Sequence, residues 1–135
     1  MTAPSLSGTF LYRSFYNGPI ETDDGKVIGS PILANPWTPV GTLDVTSDED
    51  SGDVVGKLAF SPTAVLDISG KTLPATNSQP ASFELKGEGL GSVYQIKGWF
   101  VPDSDHFVGS VLCLAGDLAR QPVGTVGPFI LFPKP

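Results

Sequence analysis

Cysteine and histidine are nearly missing from this chain of 135 residues: Cys113 and His106 are the only ones. A single cysteine excludes an internal disulfide and any CxxC zinc or redox site. A single histidine, with no acids clustered on strand-like segments, leaves no ligand set for a transition metal. Basic residues are scarce as well. Eight Lys and Arg, no two adjacent, stand against fourteen Asp and Glu, for a net charge of −6. A phosphate backbone or an anionic bilayer needs a positive stripe, so neither nucleic acid nor a membrane is an expected partner. No run approaches about 18 apolar residues, the length that crosses a bilayer. The opening MTAPSLSGTF has no basic segment ahead of an apolar one, so it does not read as a secretory signal, and a cytoplasmic location is expected. No G-x-G-x-x-G or P-loop occurs. The glycine-rich GEGLGS (87–92) joins two strand-like runs instead of opening a helix, so no cofactor is expected.

What the chain does have is short period-two runs separated by turn residues. Hydrophobic residues make up 40% and charged ones 16%, the balance of a folded domain, and the length fits one domain over 1–135. Gly 16 and Pro 13 are scattered rather than clumped. Windows long enough for a helix are broken by them; only LCLAGDLAR (112–120) has helix-like composition, and Gly116 interrupts it. Eight strands are predicted, over 8–16, 41–46, 54–60, 63–69, 81–88, 92–101, 106–114 and 123–132. A long connection over 17–40, with four prolines and Trp37, separates the first two. In ASFELKGE, Phe83 and Leu85 alternate with Glu84, Lys86 and Glu88. In SVYQIKGWF, Tyr94, Ile96 and Phe100 oppose Gln95 and Lys97. Such alternation marks antiparallel strands with one wet face. Short connections pair neighbours in sequence order, and with no helix to cover the edges, closure removes them. The predicted fold is therefore all-β, an eight-stranded antiparallel up-and-down barrel, with a two-sheet sandwich as the alternative. Glycines inside strands (Gly56, Gly98, Gly109, Gly124 and Gly127) suit strongly coiled barrel strands.

The first predicted strand, SGTFLYRSF, resembles the first strand of the calycin barrels, the lipocalins and avidins, which begin with Gly-x-Trp. Here Gly8-Thr9-Phe10 carries Phe at the Trp position. The longer pattern, with YRSF and N-x-P near the start and GSV and GTV late, is also similar to small lipocalin-like proteins of no assigned function. The resemblance implies a barrel with a cavity. Lipocalin-like barrels generally hold small hydrophobic ligands, whereas the similar allene oxide cyclase and dirigent barrels fold reactive intermediates into rings.

On that first strand, Phe10, Tyr12, Ser14 and Tyr16 share one face, and Leu11, Arg13 and Phe15 the other. If Phe10 takes the inward place of the Trp, then Tyr12, Ser14 and Tyr16 line the cavity and Arg13 lies outside. In the opposite register Arg13 enters the cavity and offers a fork to a carboxylate or enolate oxygen. A buried arginine needs a partner, and no acid on this strand supplies one. Tyr12, Ser14, Tyr16, Trp37 and Tyr94 are the expected ligand contacts: an apolar pocket with a few polar tips. The 17–40 segment is long enough to serve as a lid.

The remaining chemistry-bearing residues read as structural. His106 follows the turn Pro102-Asp103-Ser104-Asp105, whose acids suit a turn. Cys113 sits among apolar neighbours in VLCLAG with no local cation to lower its pKa. The acidic run Asp48, Glu49, Asp50 and Asp53 fails the calcium-loop pattern, because Gly52 and Ala59 fall where ligands belong. The expected function is binding of a small, mostly hydrophobic molecule in the barrel. One alternative is a cofactor-free cyclase or isomerase in which Tyr94 or Arg13 polarises a carbonyl and orientation supplies the rate. Another is a filled barrel acting as an assembly module, a homodimer through the apolar strand PFILFP (128–133).

Overall fold

The computed structural model describes residues 4–16, 35–36, 40–115 and 126–135. Every element within them is a strand: β1 (Gly8–Tyr16), β2 (Asn35–Pro36), β3 (Gly41–Ser47), β4 (Asp53–Ala59), β5 (Val65–Leu73), β6 (Ser82–Gly89), β7 (Ser92–Phe100), β8 (Phe107–Ala115) and β9 (Val126–Pro133). From β3 to β9 each strand pairs antiparallel with the next. β1 pairs with β3 on one side and with β9 on the other, so β1 and β3 to β9 close into an eight-stranded barrel. The up-and-down barrel, not the sandwich, is the architecture. β2 is a two-residue addition on β1, Phe15 to Pro36 and Tyr16 to Asn35, inside the segment expected to be one uninterrupted connection.

Strand positions follow the alternation, with one clear difference. β5 runs on to Leu73, where the polar GKTL was expected to begin a loop. Gly70 makes this extension feasible: a Cβ at this position would overlap the Glu84 carbonyl oxygen of β6. Thr72 then turns inward and is buried, its backbone N–H donating to the Gly52 carbonyl at 2.8 Å. Leu112–Ala115, the start of the helix-like stretch, belongs to β8; residues 116–120 lie outside the described ones.

The interior is graded along the barrel axis. At the end where β1 begins, Phe10, Phe83, Phe100, Phe107 and Phe129 pack together. Phe107 is the hub, its ring 5.3 Å from Phe10, 5.9 Å from Phe83 and 4.9 Å from Phe100, all edge-to-face. Edge-to-face pairs add about 0.5–1.5 kcal/mol each beyond burial, so this cluster anchors the closed end. Leu6, just ahead of β1, is fully buried against it. Two hydrogen bonds hold that strap: Leu6 N–H donates to Ser47 Oγ and Ser47 N–H to Ser7 Oγ, each at 2.9 Å. Gly98, facing inward on β7, makes room for the Phe83 ring, which a Cβ at this position would overlap.

Outside, two rows of alternating charge cross the sheet. Asp44, Lys57 and Asp67 stand directly opposite one another on β3, β4 and β5. Asp53, Lys71, Glu84 and Lys97 do the same from β4 to β7. The closest contacts are Lys57 to Asp67 at 2.7 Å and Lys97 to Glu84 at 2.9 Å. Exposed pairs of this kind contribute little energy. They pair only in the observed register, since a slip would separate them, although the first row continues onto β6 with Asp67 opposite Glu88. The outward positions of β8, β9 and β1 differ in kind: Val108, Ser110, Leu112 and Leu114, then Val126, Pro128, Ile130 and Phe132, then Leu11, Arg13 and Phe15.

The shared space of Gly98 and Phe83 is testable by urea unfolding. Gly98→Ala should lower stability by about 1–3 kcal/mol through overpacking. Combined with Phe83→Leu, which withdraws the ring, it should cost at least ~0.5 kcal/mol less than the two single changes added together. Strict additivity would mean that ring and glycine do not compete for one volume.

Candidate functional site

At the opposite end of the barrel the described residues leave space unfilled. There β1 ends, β4 turns into β5, and the β6–β7 hairpin folds back. Inward-facing side chains leave a recess between Tyr12 and Ser14 of β1, Leu58 and Phe60 at the end of β4, Leu66 of β5, Leu90 in the β6–β7 turn, Tyr94 and Ile96 of β7, and Val111 of β8. As seen by the centre of a water molecule it is a cavity of about 70 Å3, set in about 460 Å3 of empty space that includes the open mouth. One water needs ~10–15 Å3 on the first measure, so the recess admits several waters or part of a small guest.

Register explains the lining. Phe10, Tyr12 and Ser14 are buried while Leu11, Arg13 and Phe15 are half-buried on the other face, so β1 takes the register in which Phe10 points inward. Three of the five expected contacts, Tyr12, Ser14 and Tyr94, meet in the recess. Tyr16 ends β1 opposite Asn35, but its side chain lies outside the described residues, as does Trp37 and with it most of the expected lid. Arg13, the other candidate for polarising a carbonyl, sits on the outward face with its guanidinium 5.7 Å from the centre of the Phe15 ring. Phe60 and Leu90 were not singled out from the sequence. Phe60 is two residues beyond inward-facing Leu58 and keeps its parity past the end of the strand. Leu90 lay hidden in a run that reads only as a turn.

The polar groups of the recess are hydroxyls. Tyr12 stacks on Phe129 at 5.6 Å and meets Phe60 edge-on at 6.1 Å. Burial pushes its phenol up from 10.0 to about 12; a hydrogen bond with Ser14 pulls the other way, and the nearby Tyr94 phenol adds to the rise. Tyr94 is half-buried beside a bulge where β7 and β8 shift register. Its pKa is also raised, first by burial, against a hydrogen bond with Ser92, with Cys113 adding to the rise. Both phenols are therefore neutral at physiological pH, able to donate or accept a hydrogen bond but not to act as bases. Cys113 is buried and its thiol pKa raised by that burial, the opposite of what a nucleophile needs. His106 is well away from the recess, exposed, with Nδ1 3.0 Å from Asp105 and its ring stacked near Phe132. Asp48 is a turn carboxylate whose pKa is lowered by hydrogen bonds from the backbone N–H groups of Ser51 and Asp50.

Fold and recess together define a closed antiparallel β-barrel that, among the described residues, has one filled end and a hydroxyl-bearing recess at the other. No protein-family model matches the chain, and no curated protein or solved structure matches it either.

The buried phenol couples stability to alkaline pH. Unfolded, Tyr12 ionises near 10; folded, it holds its proton to about 12. Its contribution is thus complete below the unfolded value and is lost as pH rises through the folded one, a loss of up to roughly 3 kcal/mol. In urea titrations run from about pH 9 to about pH 12, Tyr12→Phe should retain about 2–3 kcal/mol that the native chain loses. Parallel curves for the two proteins would contradict the burial of this hydroxyl.

Proposed function

We propose that the barrel binds a small, mostly hydrophobic molecule in its open end, in the manner of the lipocalin-like barrels that its first strand resembles. The observation that carries this reading is the contrast between the two ends. Five phenylalanines fill one, while the other keeps a recess walled by Leu58, Phe60, Leu66, Ile96 and Val111 and tipped by Tyr12, Ser14 and Tyr94 hydroxyls. Apolar walls with a few convergent polar groups are the usual composition of a small-molecule site. The hydroxyls suit a guest with one carbonyl or hydroxyl group, and among the described residues no charged side chain lines the walls, which suits a neutral one. The cyclase reading keeps Tyr94 and Tyr12 as neutral donors but loses Arg13, which faces outward.

The test is titration with a neutral hydrophobic fluorophore such as Nile red. One saturable site with a dissociation constant on the order of 10 μM is expected for a probe of this size. Val111→Phe, which fills the recess, should weaken binding about tenfold or more while leaving the circular dichroism spectrum unchanged. Non-saturable uptake, or equal binding by the filled variant, would end the proposal.

The assembly reading has its own observation. The outward faces of β8 and β9 expose Val108, Leu114 and Val126, and no carboxylate lies among the outward positions of β8, β9 and β1. A second copy of the chain is the partner such a surface would take. Sedimentation at several concentrations should then show a dimer that Val108→Lys with Leu114→Lys converts to monomer. A single monomeric species at all concentrations would remove that reading without touching the first.

A further inference from the structure

The β6–β7 hairpin closes through the pair Gly89 and Ser92, leaving Leu90 and Gly91 as a two-residue turn. Both have positive φ, 55° at Leu90 and 75° at Gly91, the combination of the I′ turn that matches the twist of a hairpin. Asparagine or glycine ordinarily fills the first of these positions, because a branched side chain crowds the backbone in the left-handed region. Here a leucine occupies it, and the residue is 59% exposed. Neither backbone preference nor burial in the core accounts for that choice. Strain held against local preference tends to mark functional positions. The location supplies the second observation, since Leu90 lines the mouth of the recess opposite the hydroxyl-bearing wall of β1. The turn is also well fixed. Gly89 approaches β5 so closely that a Cβ would lie 2.6 Å from the Val65 carbonyl oxygen, and Leu66, the next residue, is itself a wall of the recess.

We infer that Leu90 is a specificity-determining part of the binding site, a rigid apolar lip that the guest covers. The inference rests on the recess being a binding site, as proposed above, and it narrows the guest. A molecule that buries Leu90 carries apolar surface out to the barrel mouth, so its polar group points inward to the hydroxyls of Tyr12, Ser14 and Tyr94. A ligand with an apolar tail inside and a charged head in solvent would gain nothing from a leucine at this position.

Three proteins and Nile red test this: the native chain, Leu90→Asn, and Val55→Thr as an exposed control on β4 away from the mouth. Leu90→Asn should bind about five- to tenfold more weakly while its thermal midpoint rises by roughly 2–4 °C, because asparagine relieves the turn. Val55→Thr should bind as the native chain does. Equal affinity for Leu90→Asn and native protein would overturn the inference while leaving the recess as a binding site. A lower midpoint in Leu90→Asn would overturn it too, since the leucine would then be holding the fold. Absence of saturable binding by the native chain would refute the recess reading itself, and this inference with it.

Discussion

The pairing of β1 with β9 is the constraint on which the rest of the molecule depends. Phe10 to Ser14 lie antiparallel to Pro133 to Phe129, while Gly8 to Tyr12 pair with β3 on the other side. The first strand thus has neighbours on both edges, and no strand of the cylinder keeps a free edge along its whole length. Closure also converts an ambiguity into a choice. Side chains alternate with a period of two, so every strand has one face in and one face out, and a slip by one residue would invert the set. Once Phe10 is committed inward, the paired registers carry that parity to Leu43, Leu58, Leu66 and on around the barrel. The two strands that meet come from opposite ends of the sequence, so the loop-closure entropy of nearly the whole chain opposes them. The phenylalanine cluster, to which both strands contribute, supplies apolar burial to offset it.

Burial is distributed unevenly along the axis, and that unevenness creates the site. Rings are flat and wide, and five of them at one end leave no room for a guest. Toward the other end the inward positions change to Ser14, Tyr12, Tyr94 and aliphatic residues. Serine is too small to fill its share of the space, and a tyrosine hydroxyl favours a polar neighbour over the centre of an apolar core. The result is a lined hollow. Glycines shape both ends. Gly98 yields its place to Phe83 at the closed end; Gly89 lets the β6–β7 turn lie against β5 at the open one.

Little of the outer charge bears on stability, but it bears on uniqueness. The rows Asp44–Lys57–Asp67 and Asp53–Lys71–Glu84–Lys97 need each strand in its observed register to alternate in sign. On β8, β9 and β1 that device is absent, and register rests there on packing of Phe107, Phe129 and Phe10 and on the bulge between β7 and β8.

Much of this was legible in the residues themselves. Alternation in ASFELKGE and SVYQIKGWF, turn chemistry between the runs and the scarcity of helical stretches are local properties, and they point to strands, their order and an antiparallel barrel, with the sandwich excluded only by the pairing of β1 with β9. Parity along β1 also put Tyr12 and Ser14 on one face, whereas their meeting with Tyr94 of β7 depended on which face of each strand turned inward. The facing of β1 was not decidable locally. Phe10 and Leu11 are both apolar; in the closed barrel the Phe10 ring packs on Phe107, and Arg13 lies outward beside Phe15. The extension of β5 through Gly70, the room Gly98 leaves for Phe83 and the arrival of Leu90 at the mouth were likewise hidden. Each depends on how closely one backbone approaches another, and that distance exists only after the chain has closed.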